Sequence, residues 1–171
     1  MTEFYQNRSG VKGRTDGWSA GAYNPPVNGS QLDQLRSAAA DFFAGTDVTL
    51  AYAYGSRIDG RPRPDSDLDI GYYLTPPWRE TPLSIAAEMK LAGQLSGAAG
   101  LDVDFRHLGQ APLDLKGRVL EEGKRIYSRD EVARVNFERD LIGRYHDYKF
   151  IYQRMHATRL AALAKKVESD G

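Results

Sequence analysis

The stretch Tyr54-Gly55-Ser56-Arg57-Ile58-Asp59-Gly60-Arg61-Pro62-Arg63-Pro64-Asp65-Ser66-Asp67-Leu68-Asp69-Ile70 decides how the chain is read. Val48 to Tyr54 reads as a β-strand, and Gly55-Ser56 breaks it. Arg57 to Asp65 is a loop rich in glycine, proline and charge. Asp67 to Leu74 then reads as a second strand. Asp67 and Asp69 lie two apart on it, so their side chains leave one face, while Leu68 and Ile70 point into the core. Two carboxylates this close repel unless water or a cation relieves them. The pair suits one or two Mg²⁺ ions, which take hard oxygen ligands and keep positions open for phosphates. Gly55 permits close backbone approach and unusual φ. Exposed N–H groups there, with the Ser56 hydroxyl, suit a triphosphate, and Arg57 adds charge to that pocket.

Outward from this stretch the pattern alternates. Ser30 with Asp33 resembles a capping box, and Leu32, Leu35, Ala39, Phe42 and Phe43 recur at helical spacing up to Gly45. Thr75-Pro76-Pro77 ends the second strand. Leu83 to about Ser96 reads as a helix with Ile85, Met89, Ala92 and Leu95 as its stripe, and Gly97 to Gly100 as a turn. Leu101 to Leu108 is a third strand, in which Leu101, Val103 and Phe105 alternate with Asp102, Asp104 and Arg106. A short helix runs from Ala111-Pro112 to Gly123, and Ile126-Tyr127 reads as a brief edge strand. Asp130 to Val167 is helical again, with Phe137, Leu141, Tyr145, Tyr148, Tyr152 and Met155 as a packing stripe and a break expected near Gly143. The order gives an α+β fold: a small mixed sheet with helices packed on one side and a long C-terminal helix. Residues 1–30, rich in Gly, Ser, Asn and Pro, read as an irregular extension that Phe4, Tyr5, Trp18 and Tyr23 pin to a surface. Residues 31–128 form the core and 129–171 a helical tail.

Bulk properties narrow the function classes. The chain has 171 residues, and its 23 basic and 23 acidic side chains balance. Nothing in that balance favours nucleic-acid binding through bulk charge. The absence of cysteine excludes disulfides and thiolate chemistry. His107, His146 and His156 form no HExxH pattern. No apolar run approaches the ~18 residues of a membrane span, and the first ten residues lack the apolar core of a signal peptide, so the expected location is the cytoplasm.

If the strands carrying Asp69 and Asp104 are neighbours, three carboxylates converge on one edge of the sheet. That geometry fits two-metal phosphoryl or nucleotidyl transfer, with the third aspartate holding the nucleophile-side metal and accepting a proton. Gly55-Ser56, ten intervening residues, then Asp67-Leu68-Asp69 resembles the GS-x10-D-x-D signature of the DNA polymerase β-type nucleotidyltransferase superfamily. Within it the chain is similar to the minimal nucleotidyltransferases, or MNT proteins, many of them antitoxins paired with HEPN-domain toxins. The similarity covers roughly residues 31 to 155 and includes the strand around Asp104, Ala111-Pro112, Glu122-Gly123 to Ile126-Tyr127, and Tyr145-His146-Asp147-Tyr148. The resemblance implies ATP as substrate, Mg²⁺ (two ions), and transfer of AMP to a tyrosine of a cognate HEPN toxin. It assigns Asp67, Asp69 and Asp104 as catalytic, metal-holding carboxylates, and Gly55, Ser56 and Arg57 to the nucleotide. Asp102 shares a face with Asp104, and the resemblance favours Asp104 as the third carboxylate.

The chain departs from the pattern in its first 30 residues, in His107, where an acidic residue is common, and in the basic, proline-stiffened Arg61-Pro62-Arg63-Pro64. Two other readings stand beside the antitoxin enzyme. One is an adenylyltransferase for a small molecule such as an aminoglycoside. The other is an antitoxin that binds its toxin without catalysis. Arg139, His146 and Tyr148 also match the R-x6-H-x-Y pattern of HEPN RNases, but such a site needs a helical domain that dimerises around it, and only one long helix follows the sheet.

Overall fold

Asn28 sets where the chain becomes helical. In the computed structural model, which describes residues 25–63, 65–75 and 81–169, its side chain accepts the Gln31 N–H at 2.9 Å, and the Gln31 side chain accepts the Asn28 N–H at 3.1 Å. This reciprocal capping box starts α1 (Gly29–Phe43) before Ser30, the expected cap. Asp33 instead pairs with Arg36 one turn on. Leu35, Ala39 and Phe43 form the buried stripe. The aromatics Phe4, Tyr5, Trp18 and Tyr23, and Pro64, Pro76 and Pro77, lie outside the described residues.

Strand β1 (Val48–Tyr54) is buried throughout and pairs antiparallel with β2 (Leu68–Leu74) and with β4 (Lys124–Ser128). Strand β3 (Val103–His107) pairs parallel with β2. The mixed sheet has the order β3-β2-β1-β4. Both β2 and β3 start later than their sequence patterns suggest, which leaves Asp67 and Asp102 just outside the ladder. The Leu68 N–H donates to the Asp102 carbonyl at 2.8 Å and fixes where the two strands begin.

One sheet face carries Ala51, Ala53, Leu68, Ile70, Tyr72, Leu74 and Phe105 against α1 and α2 (Ile85–Ala99). Tyr72 stacks on Phe105 with ring centroids 4.5 Å apart. Helix α2 begins on Ser84, ends on left-handed Gly100, and so runs through Gly97. Its buried stripe is Leu91, Leu95 and Ala99. Ile85 and Met89, expected inward, are 77% and 70% exposed. The helix is rotated so that Glu88 faces the sheet and accepts the Tyr72 hydroxyl.

The opposite face is not open. Leu50, Tyr52, Tyr54, Tyr73 and Leu108 form a second cluster with Val119 of α3 (Leu113–Glu122) and Phe137 of α4 (Glu131–Ser169). The expected one-sided layer therefore describes α1 and α2, while α3 and the first turns of α4 cover part of the other face. Helix α4 is continuous past Gly143, with 39 residues spanning about 58 Å at 1.5 Å per residue. Leu141 and Tyr145 are buried, whereas Tyr148 and Tyr152, expected to pack, are exposed and stack on each other. Among the described residues no helix is long and apolar enough to cross a membrane.

Gly117 lets α3 and α4 touch. A Cβ built there would lie 2.0 Å from the Tyr145 ring, which is 5% exposed. Alanine for glycine inside a helix normally stabilises by about 1 kcal/mol, but overpacking a filled contact costs about 1–3 kcal/mol. Gly117→Ala is expected to lower the urea midpoint by up to about 2 kcal/mol equivalent, the balance of those terms. A raised midpoint would show that α4 is not held by this contact.

Candidate active site

The register of the sheet builds the site. Tyr54 at the end of β1 lies opposite Asp69 on β2, and Asp69 lies opposite Asp104 on β3. In-register residues of adjacent strands share a face, so the three side chains stand in a row. That face is the one α3 and α4 cover only in part. Ile70 and Phe105, one step along, point the other way into the core. Asp102 precedes β3 and has no register partner on β2, which leaves Asp104 as the acidic neighbour of Asp69. Asp67 stands at the exposed rim, two residues before Asp69.

Gly55 closes the row at its other end. Its φ is +80°, and a Cβ there would lie 2.3 Å from Oδ2 of Asp69. Any side chain would both strain the backbone and collide with the carboxylate. The next residues form a tight loop: the Gly55 carbonyl accepts the Ile58 and Asp59 N–H groups at 2.9 and 3.0 Å, and the Ser56 carbonyl accepts the Arg61 N–H at 3.0 Å. Ser56 is half-buried at the mouth of this loop. Ser66 braces the far side, its hydroxyl oxygen accepting the Arg63 N–H at 2.9 Å.

Arg57 sits differently from its sequence reading. It is 2% exposed, and its guanidinium donates to the carbonyls of Ser66 and Pro25. The Val27 N–H in turn donates to the Arg57 carbonyl at 3.0 Å. Arg57 thus ties the segment before α1 to the loop that ends in Asp67, a bracing role that its place in the sequence does not announce.

The reverse happened with Arg106, which the sequence reading passed over as an alternating strand charge. Two residues past Asp104 on the same face, its guanidinium donates to the Asp104 carboxylate. Burial pushes the Asp69 carboxyl above its ordinary range, the Asp104 and Asp67 charges push it further, and Arg106 partly opposes them. Tyr54, buried under the same influences, has its phenol pushed up to about 12, and its hydroxyl has no hydrogen-bond partner among the described residues. The signal that could have found Arg106 is its i,i+2 spacing from Asp104.

A half-buried carboxylate whose ionisation is opposed by burial and by two neighbouring carboxylates is a place of excess negative potential, and its oxygen donors suit a hard divalent cation. Among the described residues no three His, Asp or Glu side chains stand together as a ready metal group. Arg106 engages Asp104, and Asp67 stays at the rim. A pocket of about 130 Å³ lies beside the row, lined by Tyr54, Gly55, Asp59, Leu115, Arg118, Val119 and Glu122. A larger cleft of about 840 Å³ lies elsewhere, between β4 and α4, and none of the three aspartates lines it. His146 of the R-x6-H-x-Y pattern is engaged with Glu121 at 2.9 Å.

These features, a mixed sheet with paired strand carboxylates behind a glycine turn, are those of a nucleotidyltransferase, and the family comparison agrees. The family model described as Polymerase beta, Nucleotidyltransferase matches residues 39–132, more than half of the chain, and the chain belongs to that family. No curated protein matches it. Among solved structures, a toxin–antitoxin with AMP-PNP is 22% identical with a TM-score of 0.50, over 78% of this chain and 96% of that one. A mutant of the toxin–antitoxin MntA-HpeT is 21% identical with a TM-score of 0.52, over 81% of this chain and 98% of that one. At these identities the likeness shows the fold.

The raised Asp69 pKa has a consequence for stability. The folded state binds the Asp69 proton more tightly than the unfolded chain does, so ionisation weakens the fold. That penalty is full above the folded pKa and vanishes below the unfolded value of about 3.8. In a metal-free buffer, Asp69→Asn is expected to raise Tm at pH 7, by about 2–4 °C for each kcal/mol relieved. The gain should shrink as the pH approaches 4. A lower Tm at pH 7 would show that the Asp69 charge supports the fold.

Proposed function

We propose that the chain transfers AMP from ATP to a hydroxyl, that the acceptor is a tyrosine of a cognate HEPN RNase toxin, and that it thereby acts as an antitoxin. The observation that carries the chemistry is the register pairing of Asp69 with Asp104 beside Gly55. The family shared with nucleotidyltransferases supports the reaction type. The fold likeness to a toxin–antitoxin solved with AMP-PNP supports ATP and the toxin partner, as does the resemblance to MNT proteins. The exposed apolar residues Phe150, Ile151 and Met155 of α4 supply a surface on which a partner protein could be held.

In this reading Asp67 and Asp69 would hold Mg²⁺, and Asp104 would complete the donor set. When bound, the cation screens the triphosphate and stabilises the leaving pyrophosphate. The chain's own groups do the rest. The N–H groups and hydroxyl of the Gly55-Ser56 turn orient the triphosphate, because a glycine there lets the backbone come close to it. The acceptor oxygen attacks the α-phosphorus, the bond to the β-phosphate oxygen breaks, and Asp104 takes the proton of the acceptor hydroxyl. Arg57 keeps the loop between Gly55 and Asp67 in shape.

The test uses purified wild type, the Asp67→Ala/Asp69→Ala variant, the cognate HEPN toxin and labelled ATP. Wild type should label the toxin and raise its mass by one or more AMP units. The variant, checked for fold by circular dichroism, should lose transfer by more than the about 10–100-fold typical of disturbing mere outer support of a metal site. Unchanged transfer by the variant would contradict the proposal. A toxin silenced yet unmodified would assign neutralisation to binding alone, and label appearing only on an aminoglycoside would assign a small-molecule acceptor.

A further inference from the structure

Arg106 brings a permanent positive charge into the carboxylate row. Its guanidinium engages Asp104 directly and is close enough to act on Asp69 and Tyr54 as well. The charge cannot be shed, because arginine does not deprotonate in proteins. Relief of the pair by a divalent cation therefore requires Arg106 to move, carrying its charge with it. The Asp104–Arg106 pair is open to solvent, with side chains 36% and 51% exposed, so the exchange needs no unfolding. An ion pair this exposed is weak and readily replaced.

We propose that Arg106 is the resident counter-ion of the site: it holds Asp104 in the free protein and passes to the phosphates of the nucleotide when a divalent cation takes Asp104. This rests on the reading of the site as a Mg²⁺–ATP site. The nucleotide is the chemically apt destination. A triphosphate drawn to a cation on Asp69 and Asp104 would bring phosphate oxygens toward Asp104, the residue that Arg106 already reaches. The planar guanidinium fork matches two phosphate oxygens at once. Arg57, the arginine that the sequence assigns to the nucleotide, is engaged by backbone carbonyls. Arg106 is thus antagonist of the bare metal ion and ally of the nucleotide. The same side chain lowers self-repulsion in the resting site and couples metal entry to nucleotide entry.

The two roles have opposite signs, and that makes them separable. Full-length wild type, Arg106→Met and Arg106→Lys would be titrated with Mn²⁺ alone, followed by its electron paramagnetic resonance, and with Mg²⁺–AMP-PNP by calorimetry. Arg106→Met keeps the apolar stem and removes the charge. It should bind Mn²⁺ alone roughly 2–5-fold more tightly, the worth of an exposed ion pair removed. It should bind Mg²⁺–AMP-PNP roughly 10–100-fold more weakly, the worth of hydrogen bonds to a charged group. Arg106→Lys keeps the charge without the fork, so its Mn²⁺ affinity should match wild type while its nucleotide affinity falls. Affinities that shift in the same direction, or not at all, would overturn the inference. Should Arg106→Met fail to melt cooperatively, Arg106→Lys decides: an unchanged nucleotide affinity overturns the inference. Wild type that binds Mn²⁺ but no nucleotide would sink the Mg²⁺–ATP reading itself and this inference with it.

Discussion

A slip of one residue between β2 and β3 would turn every side chain of one strand to the other face of the sheet. Asp69 and Asp104 would then point apart, and no site would exist. The structure guards that register with ordinary packing. Leu68, Ile70, Tyr72 and Leu74 fill the face under α1 and α2, Phe105 stacks on Tyr72, and the Leu68 N–H fixes the strand starts on the Asp102 carbonyl. On β1, Tyr54 completes the row opposite Asp69. The apolar alternation that makes the core also aims the charges. Gly55 can approach Asp69 only because the register delivers the carboxylate to that point.

The arrangement sets stability against function. A half-buried carboxylate beside a second one, with a third at the rim, is unfavourable without a counter-ion, and the raised Asp69 pKa follows from that burial and those charges. The Tyr54 hydroxyl, buried with no hydrogen-bond partner among the described residues, adds to the same burden. Such groups are retained where they serve chemistry, and the surrounding core offsets them. The Asp104–Arg106 pair is the local relief.

Much of this was legible from the sequence because period-2 alternation states which residues share a face. Asp69 and Asp104 could be placed on strands, and Gly55-Ser56 on a turn, from spacing alone, whereas Asp67 falls one residue before β2 begins. What spacing does not carry is which strands neighbour each other and in what direction. The parallel pairing of β3 with β2 and the choice of β1 as the neighbour of edge strand β4 depend on packing distant in sequence. The stripe of α2 held at Ala92 and Leu95 but failed in its first turns for a related reason. Ile85 and Met89 look like a stripe, but Leu91, Leu95 and Ala99 bury more consistently, with Glu88 turned inward by the Tyr72 hydroxyl. For α4, aromatic spacing suggested a packed stripe through Tyr152, yet burial on α3 ends at Tyr145, which packs on Gly117. That Arg57 reaches the Ser66 and Pro25 carbonyls and Arg106 reaches Asp104 follows from side-chain reach, which residue type alone leaves open.

If the Asp69–Asp104 row beside Gly55 receives a metal-bound nucleotide, a paramagnetic cation must seat there. The most direct measurement is paramagnetic broadening of backbone amide resonances by substoichiometric Mn²⁺ in the presence of AMP-PNP. Amides of Gly55, Ser56, Asp69 and Asp104 are expected to broaden first, with those of α1 unaffected. Broadening centred instead on the Glu121–His146 region or the β4–α4 cleft, with the row unperturbed, would contradict it.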